Sequence, residues 1–170
     1  DQWLTRTVLH DAGRWLAPGM MNPACRSALE AALRLKEATG CDLTAVSMGP
    51  ASAEEVLREA LALGADRAFL LNDPLLAGAD TPATSYTLAC AVKAVCPEFA
   101  LLFLGTMTTD SETGQVGPHL AEELNLPAVF GVESLELKDR ELLVTRERDG
   151  YEEELILPLP ALVTIAPRGF

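Results

Sequence analysis

Between Asn22 and Leu124 the sequence alternates segments of helical periodicity with short runs that are almost wholly apolar, and this alternation restricts the fold more than any other feature. A strand that is apolar on both faces must be covered on both, so helices interleaved with such strands demand a parallel sheet between two helical layers. The first helix is predicted from Asn22 to Gly40, with an N-cap residue, proline at the first helical position and glycine as the stop. Residues 42–48, DLTAVSM, form a β-rich run closed by Gly49-Pro50. Ser52 and Glu55 have the spacing of a capping box and open a second helix with Val56, Leu57, Ala60 and Leu61 on its inner face, ending at Gly64. RAFLL at 67–71 reads as a strand, Ala83 to Val95 as a third helix, Phe99 to Leu104 as a strand covered on both faces, and Gln115 to Leu124 as a fourth helix. The alternation then stops. From Glu133 to Leu157 three strands are joined by turns at Asp139-Arg140 and Asp149-Gly150, an antiparallel meander, and Ala161 to Ala166 returns to a buried strand. No repeat or linker interrupts residues 1–170, which read as one α/β domain.

Charge excludes one class of partner. With 25 Asp and Glu against 13 Lys and Arg, the net charge of -12 repels a nucleic-acid backbone from the average surface. A single nucleotide is compatible, because backbone N–H groups at a helix start hold phosphates without lysine. The apolar runs Phe99 to Leu104 and Leu155 to Ile165 are short or broken by proline, below the roughly 20 residues a bilayer requires, so no membrane insertion is expected. Cys25, Cys41, Cys90 and Cys96 form no C-x-x-C pair and no cluster with His10 or His119, which argues against zinc or any other metal centre. Cys25, Cys41 and Cys90 lie in or beside apolar patterns as small hydrophobes, and a reducing cytoplasm is the expected compartment. No basic segment followed by an apolar stretch opens the sequence, so no secretory signal is expected.

In an open α/β sheet ligands gather beyond the carboxyl ends of the strands. Three loops fall there: Ser47-Met48-Gly49-Pro50, the segment from Gly78 to Ser85, and GTMTTDSETGQVG from Gly105 to Gly117. The last combines three glycines with five hydroxyl residues directly before a helix. Glycine admits a phosphate close to the backbone, and the first N–H groups of the helix, near Gly114, Gln115 and Val116, lack internal partners. Asp110 and Glu112 suit ribose hydroxyls better than phosphate. The same composition also fits an ordinary polar loop with a helix cap, and Thr81, Thr84 and Ser85 read equally as caps or as donors to phosphate or flavin oxygens. Neither G-x-G-x-x-G, G-x-x-x-x-G-K-[ST] nor G-x-S-x-G occurs. His119 reads as a solvent-facing residue of a first helical turn, His10 has no identifiable partner, Cys25 reads as packing, and Glu152-Glu153-Glu154 as a solvated strand start. The chain offers binding sites and no catalytic residue.

These segments resemble the beta subunit of electron transfer flavoproteins. The likeness runs over MNPACRSALEAALRLKE at 21–37, AVSMGP at 45–50, ALALGADRAFLL at 60–71, GADTPATSYTLA at 78–89, LGTMTTDSETGQVGPHLAEEL at 104–124 and LPALVTI at 159–165. It implies a three-layer, Rossmann-like, mainly parallel sheet of the adenine-nucleotide-binding type with a C-terminal antiparallel meander. It also implies an alpha subunit as partner, carrying the electron-transferring FAD, and a dehydrogenase or quinone-linked reductase served by the pair. By similarity, Asn22 to Cys25, Met48 with Gly49, and Gly105 to Val116, with Thr106, Asp110, Thr113, Gly114, Gln115 and Val116 among them, line an adenine nucleotide. In conventional members that nucleotide is AMP; in electron-bifurcating members it is a second FAD that takes hydride from NADH. The GADTPATS segment resembles the bifurcating kind, which places Asp80, Thr81, Thr84 and Ser85 around the flavin and its pyrophosphate and makes FAD the expected cofactor, with AMP the alternative.

The resemblance has departures. The strand that usually opens the family's fold would precede Asp1, where no methionine stands, and the tail that embraces the alpha subunit would follow Phe170. Thr106-Met107-Thr108-Thr109 replaces the commoner K-Q-A-I, and Ser111-Glu112 replaces a glycine and an aspartate. A rival reading is a nucleotide-binding regulatory protein akin to universal stress proteins, whose ATP-type glycine motif matches GTMTTDSETGQVG poorly.

Overall fold

The computed structural model describes residues 7–10, 21–107 and 112–167. Helix α1 (Pro23–Thr39) begins and ends where its residues dictate. The Asn22 side chain accepts the Ala24 N–H at 2.9 Å, Pro23 lacks an N–H that would have gone unpaired, and Gly40 leaves the helix at φ 71°. Strands β2 (Leu43–Met48) and β3 (Arg67–Leu71) follow their predicted limits, with α2 (Glu54–Leu63) between them. The start of α2 differs from expectation. Ser52 falls inside a 3-10 turn, Ala51–Ala53, so it is not the N-cap residue; Ala53 leads the helix and no side chain caps it. Leu57 and Ala60 are buried as expected, whereas Leu61 is 42% exposed. Helix α3 (Thr81–Val95) starts before Ala83 because the Asp80 carboxylate accepts the Ala83 N–H at 2.9 Å. Strand β4 (Leu101–Gly105) and helix α4 (Val116–Leu124) complete the alternation.

Five strands follow: β5 (Ala128–Val132), β6 (Ser134–Lys138), β7 (Glu141–Arg148), β8 (Tyr151–Pro158) and β9 (Ala161–Ile165). The antiparallel sheet β6-β7-β8 is the expected meander, with Asp139 and Asp149-Gly150 at positive φ in its turns. Strand β5 had no counterpart in the pattern. Its apolar run is broken at Gly131, whose φ of 75° accompanies a register shift between Val129 and Val132.

The main sheet has the order β3-β2-β1-β4-β9-β5, and every pair in it is parallel. Its central place, for which the pattern held no candidate, is taken by β1 (Thr7–His10), paired with β2 on one side and β4 on the other. Burial alternates along the strands. Leu101 and Phe103 of β4 join the core closed by α1, α2 and the meander, while Leu102 and Leu104 join the core under α3 and α4. Each fully buried side chain of this size contributes about 1.5–3 kcal/mol. Cys25, Cys41 and Cys96 are buried, but Cys90, expected to pack, is exposed on α3; no disulfide joins any of the four. Among the described residues no helix is long and apolar enough to cross a membrane.

Two contacts set the edges of the sheet. At the carboxyl edge, β4 meets α1 so closely that a Cβ on Gly105 would stand 2.8 Å from the Ala24 carbonyl carbon and the Cys25 nitrogen. At the amino edge, Asp66 accepts the Leu43 N–H at 2.7 Å and the Lys36 ammonium at 2.6 Å, and Lys36 also donates to the Gly64 carbonyl. Burial works to raise the Asp66 carboxyl, but the Leu43 N–H, the Lys36 hydrogen bond and the nearby positive charges outweigh it and hold the group below its ordinary value.

A depressed carboxylate stabilises the fold above its unfolded pKa of about 4 and loses that contribution as pH falls through the lower folded value. Asp66→Asn is therefore expected to lower stability at neutral pH by about 1 kcal/mol, discounted because the side chain is 38% exposed, and to flatten the acid limb of a denaturation-against-pH series. Gly105→Ala is expected to cost more, about 2–3 kcal/mol in urea unfolding, because the atoms it meets are backbone and cannot swing aside.

Candidate functional site

The order of the sheet selects one position on its carboxyl edge. Strand β1 lies between β2 and β4, so the chain leaves it toward one side of the sheet and later returns to the other, and ligands collect where that reversal opens a crevice. A pocket lies there at the end of β4. Its walls come from Cys25 in the first turn of α1, from residues 104–107, and from residues 113–117 leading into α4. The enclosed volume is about 20 Å³, room for one small group at the base of the site.

The pocket is lined by hydrogen-bond donors without acceptors. The first hydrogen bond of α4 runs from the His119 N–H to the Gln115 carbonyl, and none of the N–H groups of Gly114, Gln115, Val116 and Gly117 finds an acceptor among the described residues. No side chain caps the helix. The Gln115 carboxamide is turned toward α3, where its Oε1 accepts from the Thr81 hydroxyl at 3.2 Å. Gly114 has φ 63° and Gln115 is right-handed at φ -90°, ψ -20°; such a change of hand aims consecutive N–H groups at one point and makes an anion-binding concavity. Beside them the Thr106 hydroxyl oxygen is buried with no partner among the described residues, a rare condition for a buried polar atom. Among the described residues no lysine or arginine lines the pocket. The chemistry on offer is backbone recognition of an anionic group, reinforced by the positive end of the α4 dipole.

The predicted site residues are brought together only in part. Cys25, Gly105, Thr106, Thr113, Gly114, Gln115 and Val116 line the pocket. Asn22 is buried beside it, capping α1 with Oδ1 and donating through Nδ2 to the Met107 carbonyl at 3.0 Å. Met48 and Gly49 end β2, two strands from β4 and roughly 10 Å away, and do not line the pocket. In the segment at 78–85, Asp80 is the cap of α3, Thr81 binds Gln115, Thr84 is buried, and the buried Ser85 hydroxyl donates to the Thr81 carbonyl at 2.8 Å and the Val116 carbonyl at 3.3 Å. These groups lash α3 to the start of α4. Asp110 lies outside the described residues. The three loop glycines also divide: Gly114 alone has positive φ, whereas Gly105 and Gly117 are required by packing, a Cβ on Gly117 falling 2.7 Å from the Thr164 methyl. The pattern missed Met107, which acts through its carbonyl and so carries no side-chain signal. His119 is half-buried rather than solvent-facing, and among the described residues no cluster of His, Cys, Asp and Glu could hold a metal.

Comparison with known proteins agrees with this arrangement. Residues 16–170 match the electron transfer flavoprotein domain. The chain is 42% identical over 150 residues to the electron transfer flavoprotein subunit beta of Thermoanaerobacterium thermosaccharolyticum, covering 88% of this chain and 55% of that protein. It is 44% identical over 149 residues to subunit CarD of the caffeyl-CoA reductase-Etf complex of Acetobacterium woodii, covering 86% and 56%. It is 40% identical over 168 residues to protein FixA of Azorhizobium caulinodans, covering 95% and 58%. The chain thus spans a little over half the length of these relatives. The parallel sheet, the meander and a sequence match over nearly every described residue converge, and the chain belongs to the electron transfer flavoprotein family.

Proposed function

We propose that this chain is the nucleotide-binding part of an electron transfer flavoprotein beta subunit, which binds an adenine nucleotide at the entrance of α4 and, with an alpha subunit, carries electrons in the cytoplasm from NADH or a dehydrogenase to an acceptor such as a quinone-linked reductase. The observation that supports this reading best is the run of four N–H groups at Gly114 to Gly117 that, like the Thr106 hydroxyl beside them, have no partner among the described residues. A phosphate group of AMP or of FAD satisfies those donors together, and neutral ligands do not. Family membership disfavours the regulatory protein of universal-stress type, because the match runs over residues 16–170 and not over one loop.

Of the two nucleotides, FAD is the reading favoured by the GADTPATS segment, and likeness to a subunit of the caffeyl-CoA reductase-Etf complex supports it. A bound flavin would supply the redox chemistry at its ring, the protein's part being to hold and orient it. The phosphate would rest on the amides of residues 114–117, with Thr106 adding a side-chain donor and Cys25 closing the wall. Within the GADTPATS segment, Thr81 meets Gln115 and Ser85 meets Val116, both residues that line the pocket.

The full-length protein copurified with its alpha subunit is expected to release two flavins per heterodimer on denaturation. One flavin with one AMP would overturn the FAD reading and keep the phosphate site, and a complex with no nucleotide in this subunit would overturn the proposal. Gly114→Ala is expected to lower nucleotide affinity about tenfold in a calorimetric titration, because an L side chain at φ 63° costs roughly 1–2 kcal/mol and relaxes by turning the amides away.

A further inference from the structure

We infer that Asn22 is a positioning residue for the anion site, holding the floor on which the α4 entrance rests before any nucleotide is bound. The inference depends on the proposed nucleotide only for its effect on affinity. One carboxamide makes two bonds of different purpose. Its Oδ1 accepts the Ala24 N–H and starts α1, and its Nδ2 donates to the carbonyl of Met107, 85 residues further along the chain. Asn22 is 2% exposed, so the capping bond is shielded from bulk water, while the bond to Met107 is part-buried. Met107 follows directly on Thr106, and Gly114 returns across this point, a Cβ there standing 3.4 Å from the Thr106 carbonyl. The carbonyl that Asn22 grips is thus the one directly after the Thr106 carbonyl over which the left-handed glycine passes. Gln115 is held separately by Thr81, so the two ends of the stretch are tied to different helices, the first end to α1 and the second to α3. The close contact of Gly105 with the first turn of α1 brings Asn22 within reach of Met107.

The two bonds are separable by chemistry. Serine and aspartate cap a helix nearly as well as asparagine, but serine is too short to reach Met107 and aspartate presents only acceptors to its carbonyl. Asn22→Ser and Asn22→Asp therefore keep the start of α1 and remove the tie. In the full-length protein with its alpha subunit, stripped of nucleotide, both variants are expected to speed amide hydrogen exchange at residues 105–107 about tenfold, with exchange inside α1 unchanged. Asn22→Ser is expected to bind added AMP about tenfold more weakly, the loss of roughly one hydrogen bond. Unchanged exchange at those amides overturns the inference: weaker AMP binding alone then marks Asn22 as a direct ligand contact. An equal rise within α1 also overturns it, since the residue would be a cap and nothing more. If the wild-type complex takes up neither AMP nor FAD, the proposed function fails while the exchange measurement still decides the role of Asn22.

Discussion

The close approach of α1 to the last peptide of β4 is the contact from which the rest of the site follows. Backbone can lie against backbone there only because residue 105 has no side chain, and the consequence is local order at three levels. The first turn of α1 reaches the crevice, so Cys25 becomes a wall. Asn22 reaches Met107, so the stretch beyond β4 begins from a fixed peptide. Thr106 is left between them with its hydroxyl buried and without a partner among the described residues. The same glycine that a reading of phosphate motifs assigns to ligand approach thus serves protein packing, and the ligand site is its result.

The anion site proposed for this chain of charge -12 needs a short-range source of attraction. At physiological ionic strength the field of distant carboxylates decays over about 8 Å, whereas an unpaired N–H acts at hydrogen-bond distance and is not screened by salt once a ligand covers it. Backbone donors bring no mobile charge and, being fixed by the helix, lose little entropy on binding. They also discriminate by shape. Four amides converging at one helix start suit a compact phosphate group and gain nothing from the extended polyanion of a nucleic acid, which the acidic surface repels. The start of α4 is left open because Gln115 directs its side chain to Thr81 instead of capping the helix.

Much of the fold was legible because its signals are local. Asn22, Pro23 and Gly40 state the limits of α1 through capping chemistry, and Asp139 and Asp149-Gly150 mark turns through their tolerance of positive φ. Strand β4 announces burial on both faces by an apolar run, and β9 does so with one hydroxyl, Thr164, among its apolar residues. The elements that escaped are set by tertiary contacts. Strand β5 is bent at Gly131, whose N–H goes to the Thr164 hydroxyl, so its residues follow no period of two. Strand β1 is four residues long, too few for any pattern, and becomes a strand by lying between two others. The capping box at Ser52 has the right letters, but the chain after Pro50 enters a 3-10 turn and the letters are not used. Within the site, the uncapped helix start could be anticipated from glycines before a helix; the Met107 carbonyl could not.

The GADTPATS segment shows how a ligand-like motif can work one layer behind the ligand. Its hydroxyls look like donors for a pyrophosphate, yet Ser85 spends its proton on carbonyls of α3 and α4, and Asp80 spends its carboxylate on the amide of Ala83. What reaches the crevice is indirect. Thr81 holds the Oε1 of Gln115 toward α3, so that this carboxamide does not cap the start of α4. A segment of this kind tunes a site by choosing which atoms of a neighbour face outward, and it does so with bonds that exist in the protein alone. The electron-carrying role proposed above suits such construction, since its chemistry would reside in a cofactor and the polypeptide would need rigid placement more than acids and bases.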